Sequence, residues 1–130
     1  HFLDVLVMAS MIPTKKLHHN GVLKMLAAGV DKADAMGQPQ NLVIVDASGV
    51  MLGEIRMTGA KFISLKSALA KARSAASSGR PTTALPQVLR GPLADATQGE
   101  VTGMPGGLPI LVDGDLVGGI GVGSGTGDQD

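Results

Sequence analysis

Arg56, Lys61 and Ser64 fall close together in the chain, and two of the three carry positive charge beside a segment that reads as the start of a helix. Such a cluster suits a carboxylate, because the first turn of a helix leaves amide N–H groups free and presents the positive end of the dipole. The Gly106-Gly107 loop and the Gly123-Ser124-Gly125 loop could close over the same anion and add backbone donors of the oxyanion-hole kind. Asp46 ends an apolar run, where burial would favour the neutral carboxyl and suit it to proton transfer. The commoner use of an Asp in that place is local, accepting hydrogen bonds from the following Ser48-Gly49 turn. Lys66, Lys71 and Arg73 lie on a helix whose other face is apolar, so they are expected on its solvated side.

Other chemistries find no support in the spacing. No pair of histidines stands at ligand separation on a helix, Glu54 and Glu100 are the only glutamates, and there is no cysteine, so no metal site is expected. The run Gly119-Ile120-Gly121-Val122-Gly123 lacks the Lys-Ser/Thr of a phosphate loop and lies in a strand, which disfavours nucleotide binding. Ser124 lacks the spacing of a nucleophile elbow.

The elements that must position these residues follow from periodicity. Leu17, Val22, Leu23, Leu26, Ala27, Val30 and Ala33 share one helical face, with Thr14 as expected N-cap and Gly37 just past the end. Gln40 to Asp46 is an apolar strand, Ser48-Gly49 a turn, and Val50 to Met57 a second strand. Ser64 is expected to cap a second helix that Arg80-Pro81-Thr82 breaks. Leu85 to Gln98 mixes turn and short helix around Pro86 and Pro92. Asp113-Gly114 between the apolar runs Ile110 to Val112 and Leu116 to Val122 signals another hairpin. The missing Cβ atoms of the glycines from Gly121 onward allow close approach to a ligand or to another backbone. Asp128 or Asp130 would then cap a helix at the point where the chain stops, so a closing helix is expected beyond the end. Helix, hairpin, helix, irregular segment and hairpin in that order imply an antiparallel sheet with packed helices, an α+β fold.

Composition sets the outer limits. With 130 residues and 44% hydrophobic content, one domain with one core is expected. Eleven basic and eleven acidic residues leave no net charge, so neither nucleic acid nor an anionic membrane is an expected partner. With no Trp or Tyr and only two Phe, base stacking is not expected either. The absence of cysteine leans toward a cytoplasmic location. Residues 1–13 hold an apolar run, interrupted by Asp4, that is far shorter than the roughly 20 residues of a membrane span. A leading His ahead of Ala-Ser-Met reads as a purification tag and vector scar, or else as an N-terminal extension, with the domain proper at 14–130.

Several segments together resemble the GlcG-like family, also called the haem-binding HbpS-like or haem-degrading family, which includes the C-terminal domain of PduO-type proteins. They are VIVDASG at Val43 to Gly49, RMTGA at Arg56 to Ala60, KARSAASSGRPT at Lys71 to Thr82, PGGLPI at Pro105 to Ile110, and DGDLVGGIGVGSGTGDQD to the end. The resemblance implies a profilin-like α+β domain with a central antiparallel sheet, usually assembled into homo-oligomers. It implies a small-molecule ligand, with haem or another tetrapyrrole as the leading class. His18 and His19 are then the candidate haem ligands, since imidazole is a common axial ligand, and as adjacent helical residues they would point about 100° apart. Two other functions stay open: an enzyme for a small unsaturated or amino-substituted carboxylic acid, with Arg56 and the Ser64 helix start as clamp and Asp46 moving a proton, or a non-catalytic scaffold subunit.

Overall fold

Periodicity and turn chemistry translate directly into the computed structural model, which describes residues 1–130. In chain order the elements are helix α1 (Phe2–Ala9), helix α2 (His19–Met36), strands β1 (Asn41–Asp46) and β2 (Met51–Arg56), helix α3 (Ile63–Ser78), helix α4 (Gln87–Ala96), and strands β3 (Gly107–Val112) and β4 (Asp115–Gly123). A 3-10 turn spans Thr82–Ala84. The four strands form one sheet in the order β2-β1-β4-β3, every neighbouring pair antiparallel. This is the expected α+β arrangement. No helix is long and apolar enough to cross a membrane.

β1 lies between two strands and two helices, which explains why its sequence is apolar on both faces instead of alternating. Val43 and Val45 pack with Ala68, Ala72 and Ala76 of α3. Leu42 points the other way, against Gly29 of α2. Both hairpins turn where the sequence signals them. Asp113 and Gly114 have φ of 51° and 81°, the pair of positive values that a type I′ turn requires.

α3 approaches β4 at backbone distance. A Cβ on Gly119 would strike the carbonyl oxygen of Ala72, and one on Gly121 the carbonyl oxygen of Ala68. The glycines of this run therefore admit the backbone of α3, and β4 continues as a strand to Gly123.

Two helix starts and the last turn differ from expectation. α2 begins at His19, with His18 as its N-cap in place of Thr14. The preceding residues are engaged elsewhere: Leu17 covers Gly118, and the Lys15 ammonium reaches Asp115 at 3.0 Å and Asp113 at 3.8 Å in the β3–β4 turn. Tertiary contact thus overrides the local start signal. α3 begins at Ile63 after Phe62, with no side-chain cap, and Ser64 lies inside its first turn. Ser64 stands one residue past the helix start, its N–H donating to the Lys61 carbonyl at 3.1 Å, so it has helical backbone where a cap would be non-helical. Near the end, the side chain that closes the last turn belongs to Thr126 and to neither Asp128 nor Asp130. Its Oγ1 accepts the Gln129 N–H at 3.3 Å while Gln129 Oε1 accepts the Thr126 N–H at 2.9 Å, a reciprocal capping box.

Candidate functional site

The sheet end formed by the start of β1, the end of β2 and the end of β4 gathers most of the residues singled out from the sequence. Asn41 is the register partner of both Arg56 and Gly123. Its Nδ2 donates to the Lys61 carbonyl at 2.8 Å, and the Lys61 N–H donates to Ser124 Oγ at 3.0 Å. Ser124 holds φ of 99°, a region costly for a residue with a Cβ, and its carbonyl accepts from Gln38 Nε2 at 3.2 Å. Arg56 is exposed and donates from Nη1 to the Ala60 carbonyl at 3.3 Å, which brings its charge to the peptide that joins Ala60 to Lys61. One cation and a strained loop therefore both hold the backbone just before α3. Asn41 is fully buried, yet its Oδ1 has no partner, as has Oε1 of the buried Gln40.

Behind this end lies a buried ion pair that the sequence reading placed in solvent. Lys71 is only 2% exposed, and its Nζ donates to the Val122 carbonyl at 2.7 Å and to Asp130 Oδ2 at 3.1 Å. The other oxygen of Asp130 accepts the Gly125 N–H at 2.9 Å. A signal for this existed: Lys71 stands three residues after Ala68 and beside Ala72, within the small-residue stripe that faces the sheet. Lys66 and Arg73 keep more exposed positions, with Arg73 donating to the Gly49 carbonyl at 2.9 Å.

Gly106 and Gly107 are close to this pair, but as packing elements. Gly106 has φ of 118°, and a Cβ there would come within 3.1 Å of Lys71 Nζ and 2.9 Å of the Asp130 Cβ. The Gly107 N–H is already donated to Thr82 Oγ1 at 3.1 Å and is no free oxyanion donor.

Asp46 and the histidines are at the opposite end. At ~3.3 Å per residue, β1 separates Asp46 from Asn41 by roughly 16 Å. Asp46 Oδ1 accepts the N–H groups of Ser48 at 2.8 Å and Val50 at 3.0 Å, fixing the hairpin turn. Within one chain, no small ligand can touch both Asp46 and Ser124. His18 and His19 are exposed at the same far end, since Leu17 packs on Gly118, the register partner of Asp46. His18 Nδ1 accepts the Asn20 N–H at 3.1 Å. Because His18 lies outside the helix, the two rings do not diverge as helical neighbours would. Their centroids are 4.1 Å apart.

A concavity that no sequence motif signalled opens beside the C-terminal half of α3. It is a cleft of about 360 Å³ walled by Pro81, Leu85, Pro86, Leu93 and Val101, with Arg80 at its edge. Hydrogen bonds hold its frame: Ser74 Oγ accepts the Thr102 N–H at 3.0 Å, Thr82 Oγ1 donates to the Met104 carbonyl at 2.6 Å, and Arg90 Nε donates to the Leu85 carbonyl at 3.0 Å. The Arg80 guanidinium makes no hydrogen bond or ion pair within the chain. Two further clefts, of about 390 and 420 Å³, share Arg73 and Glu100, which already lie 3.5 Å apart as an ion pair. None of the three is lined by Arg56, Lys61 or Ser124. The mostly apolar cleft with one unspent cation has the general form of a small-molecule site.

An antiparallel four-stranded sheet with α2 on one face and α3 on the other defines an α+β domain, here flanked by a cleft. More particularly, residues 17–130 match the family described as haem degrading protein HbpS-like, and the chain belongs to that family. Protein GlcG of Escherichia coli (strain K12) is 32% identical over 99 residues, covering 75% of this chain and 74% of GlcG. Among solved structures, protein ORFY of Klebsiella pneumoniae superposes with a TM-score of 0.87 at 26% identity, over 92% of this chain and 86% of that one. The PduOC:heme complex superposes with a TM-score of 0.82 at 29% identity, over 88% and 87% of the two chains. A Streptomyces reticuli HbpS double mutant gives 0.80 at 29% identity, over 91% and 82%.

Proposed function

We propose that this chain binds haem or a related tetrapyrrole, with an edge of the macrocycle in the cleft beside α3 and a propionate on Arg80. The observation that carries this reading is the unspent Arg80 guanidinium at the rim of a mostly apolar cleft. A propionate-bearing, otherwise apolar ring matches that distribution of charge and surface. Membership of the haem-degrading family and likeness to a relative solved with heme support the ligand class.

The fit extends to the ring and its carboxylates and stops at the iron. The lining of the cleft contains no His, Cys, Met or Tyr, the usual axial ligands. His18 and His19, exposed at the far end of the sheet, are the candidate iron ligands, presented by a second copy in a homo-oligomer. When bound, the group would supply redox and oxygen chemistry. The residues of this chain hold the carboxylate, exclude water from the ring edge and fix the entry of the ligand.

Titration with haemin tests the proposal. A saturable Soret band is expected, weakened by Arg80→Ala and by Leu93→Asp. A band unchanged by both substitutions would remove the cleft from the site.

A second reading rests on Arg56, which is bonded to the Ala60 carbonyl, and on Lys61, the next residue, shortly before α3. They form a seat for a small carboxylate. The enzyme that such a seat would serve needs a proton carrier beside it, and Asp46 is at the other end of β1.

A further inference from the structure

α4 is the outer wall of the apolar cleft. It presents Leu93, half-buried, opposite Ser77 of α3, with Leu85 and Pro86 just ahead of its first turn. No residue of α4 is buried, and Val88 is 78% exposed. Its side-chain hydrogen bonds stay among chain neighbours. Arg90 donates from Nε to the Leu85 carbonyl at 3.0 Å and from Nη2 to the Thr83 carbonyl at 3.2 Å, while the Leu93 carbonyl accepts from Thr97 Oγ1 at 2.6 Å. No hydrogen bond or ion pair joins α4 to α2, α3 or the sheet.

The two ends of this stretch are fixed to the body of the domain. Thr82, 3% exposed, donates to the Met104 carbonyl at 2.6 Å and accepts the Gly107 N–H at 3.1 Å. Ser74 of α3 accepts the Thr102 N–H at 3.0 Å and donates to the Glu100 carbonyl at 3.3 Å. Residues 83–99 thus form a flap tied at its base, and the base is where Thr82 and Met104 meet. The Arg90 side chain passes over Gly103 at the same place.

The helix within the flap is weak by its own sequence. It has ten residues, with Pro92 inside it and Gly91 directly before. Pro92 has no N–H to offer the Val88 carbonyl, and glycine is the poorest helix former after proline. So short a helix depends on tertiary packing, and this one buries nothing. Segments with few buried apolar contacts and exposed backbone hydrogen bonds open at low free energy. At about 360 Å³ the cleft takes the edge of a large ring, so deeper seating requires its wall to move.

We infer that α4 is a lid: residues 83–99 melt locally, let the ligand into the cleft and re-form over it. The inference deepens the haem reading and rests on it for the identity of the ligand.

Hydrogen exchange of the ligand-free chain, read by mass spectrometry, tests the opening itself. Amides from Leu93 to Thr97 should exchange at least about a hundredfold faster than those from Ala68 to Ala76 on α3. Pro92→Ala restores a donor for the Val88 carbonyl and should slow that exchange by at least about tenfold. Arg90→Ala cuts the ties to Leu85 and Thr83 and should speed it. Stopped-flow mixing with haemin then follows the Soret band. Association and dissociation should both slow in Pro92→Ala and both quicken in Arg90→Ala, by similar factors, so that Kd stays nearly constant. Amides of α4 as well protected as those of α3 would overturn the lid. So would a haemin association rate that ignores both substitutions while the exchange responds to them. If haemin gives no Soret band, the haem reading fails alone, and the exchange rates still decide whether α4 opens.

Discussion

The ammonium of Lys71 lies 3.1 Å from the carboxylate of Asp130, and both side chains are almost wholly buried, at 2% and 6% exposure. Through this contact the middle of α3 holds the segment that follows β4. Breaking a buried pair from one side leaves an uncompensated charge, typically at a cost of about 3–5 kcal/mol. Asp130→Ala is expected to lower unfolding free energy by that amount in urea titration. Lys71→Met combined with Asp130→Leu should recover part of it, since an apolar pair removes the stranded charge. A loss below about 1 kcal/mol in the single variant would mean that the ammonium finds water there.

The contact of α3 with β4 gives a second prediction. Gly121→Ala drives a methyl group into the Ala68 carbonyl, whereas Gly91 on α4 has nothing within 4 Å of an added Cβ. The first substitution should destabilise by 1–3 kcal/mol or more, the range of overpacking. Gly91→Ala should stabilise slightly, by up to about 1 kcal/mol from helix propensity. Thermal unfolding of the two variants would show opposite shifts. Equal shifts would deny the backbone approach.

Ser124 offers a third. Its hydroxyl anchors the Lys61 amide, but its backbone at φ of 99° favours glycine. Ser124→Ala loses the hydrogen bond and keeps the strain, for a cost of about 1 kcal/mol. Ser124→Gly loses the same bond and relieves the strain, so it should be the milder of the two. Denaturant midpoints in the reverse order would show that the backbone at φ of 99° carries no strain that glycine relieves.

The fold was legible where local chemistry and tertiary packing agree. Asp113-Gly114 makes the turn that its residue types require, Gly37 ends α2 in the left-handed conformation, and the apolar run before Asp46 is the central strand. It was not legible where a distant contact decides. Thr14 has the chemistry of a cap, yet Leu17 and Lys15 are claimed by the β3–β4 hairpin, so the helix waits until His18. Lys71 looks like any helical lysine until the segment carrying Asp130 is folded beside it. That Arg56 stands near the backbone leading into α3 could be read from spacing, because a strand end and the next helix start adjoin. The cleft could not, because its walls come from the end of α3, the 3-10 turn, α4 and Val101, with no local pattern in common.

For the carboxylate seat, Arg56→Ala should weaken binding of a small dicarboxylate by about 1.5–3 kcal/mol, the usual worth of a hydrogen bond to a charged group. The exposure of Arg56 puts the expected value at the low end of that range. Isothermal titration with and without the substitution measures it, and circular dichroism should show the fold unchanged. Equal affinities in the two proteins would take Arg56 out of the seat.

Haemin titration of the wild-type chain beside Arg80→Ala and the double variant His18→Ala/His19→Ala is the most direct measurement of ligand class and site together. The expected result is a saturable Soret band in the wild type. Arg80→Ala should weaken affinity about tenfold, the worth of one charge-assisted hydrogen bond, with the band position kept. The histidine variant should move the band itself, as loss of an axial ligand does. A wild-type chain that shows no saturable Soret band with haemin would contradict the assignment.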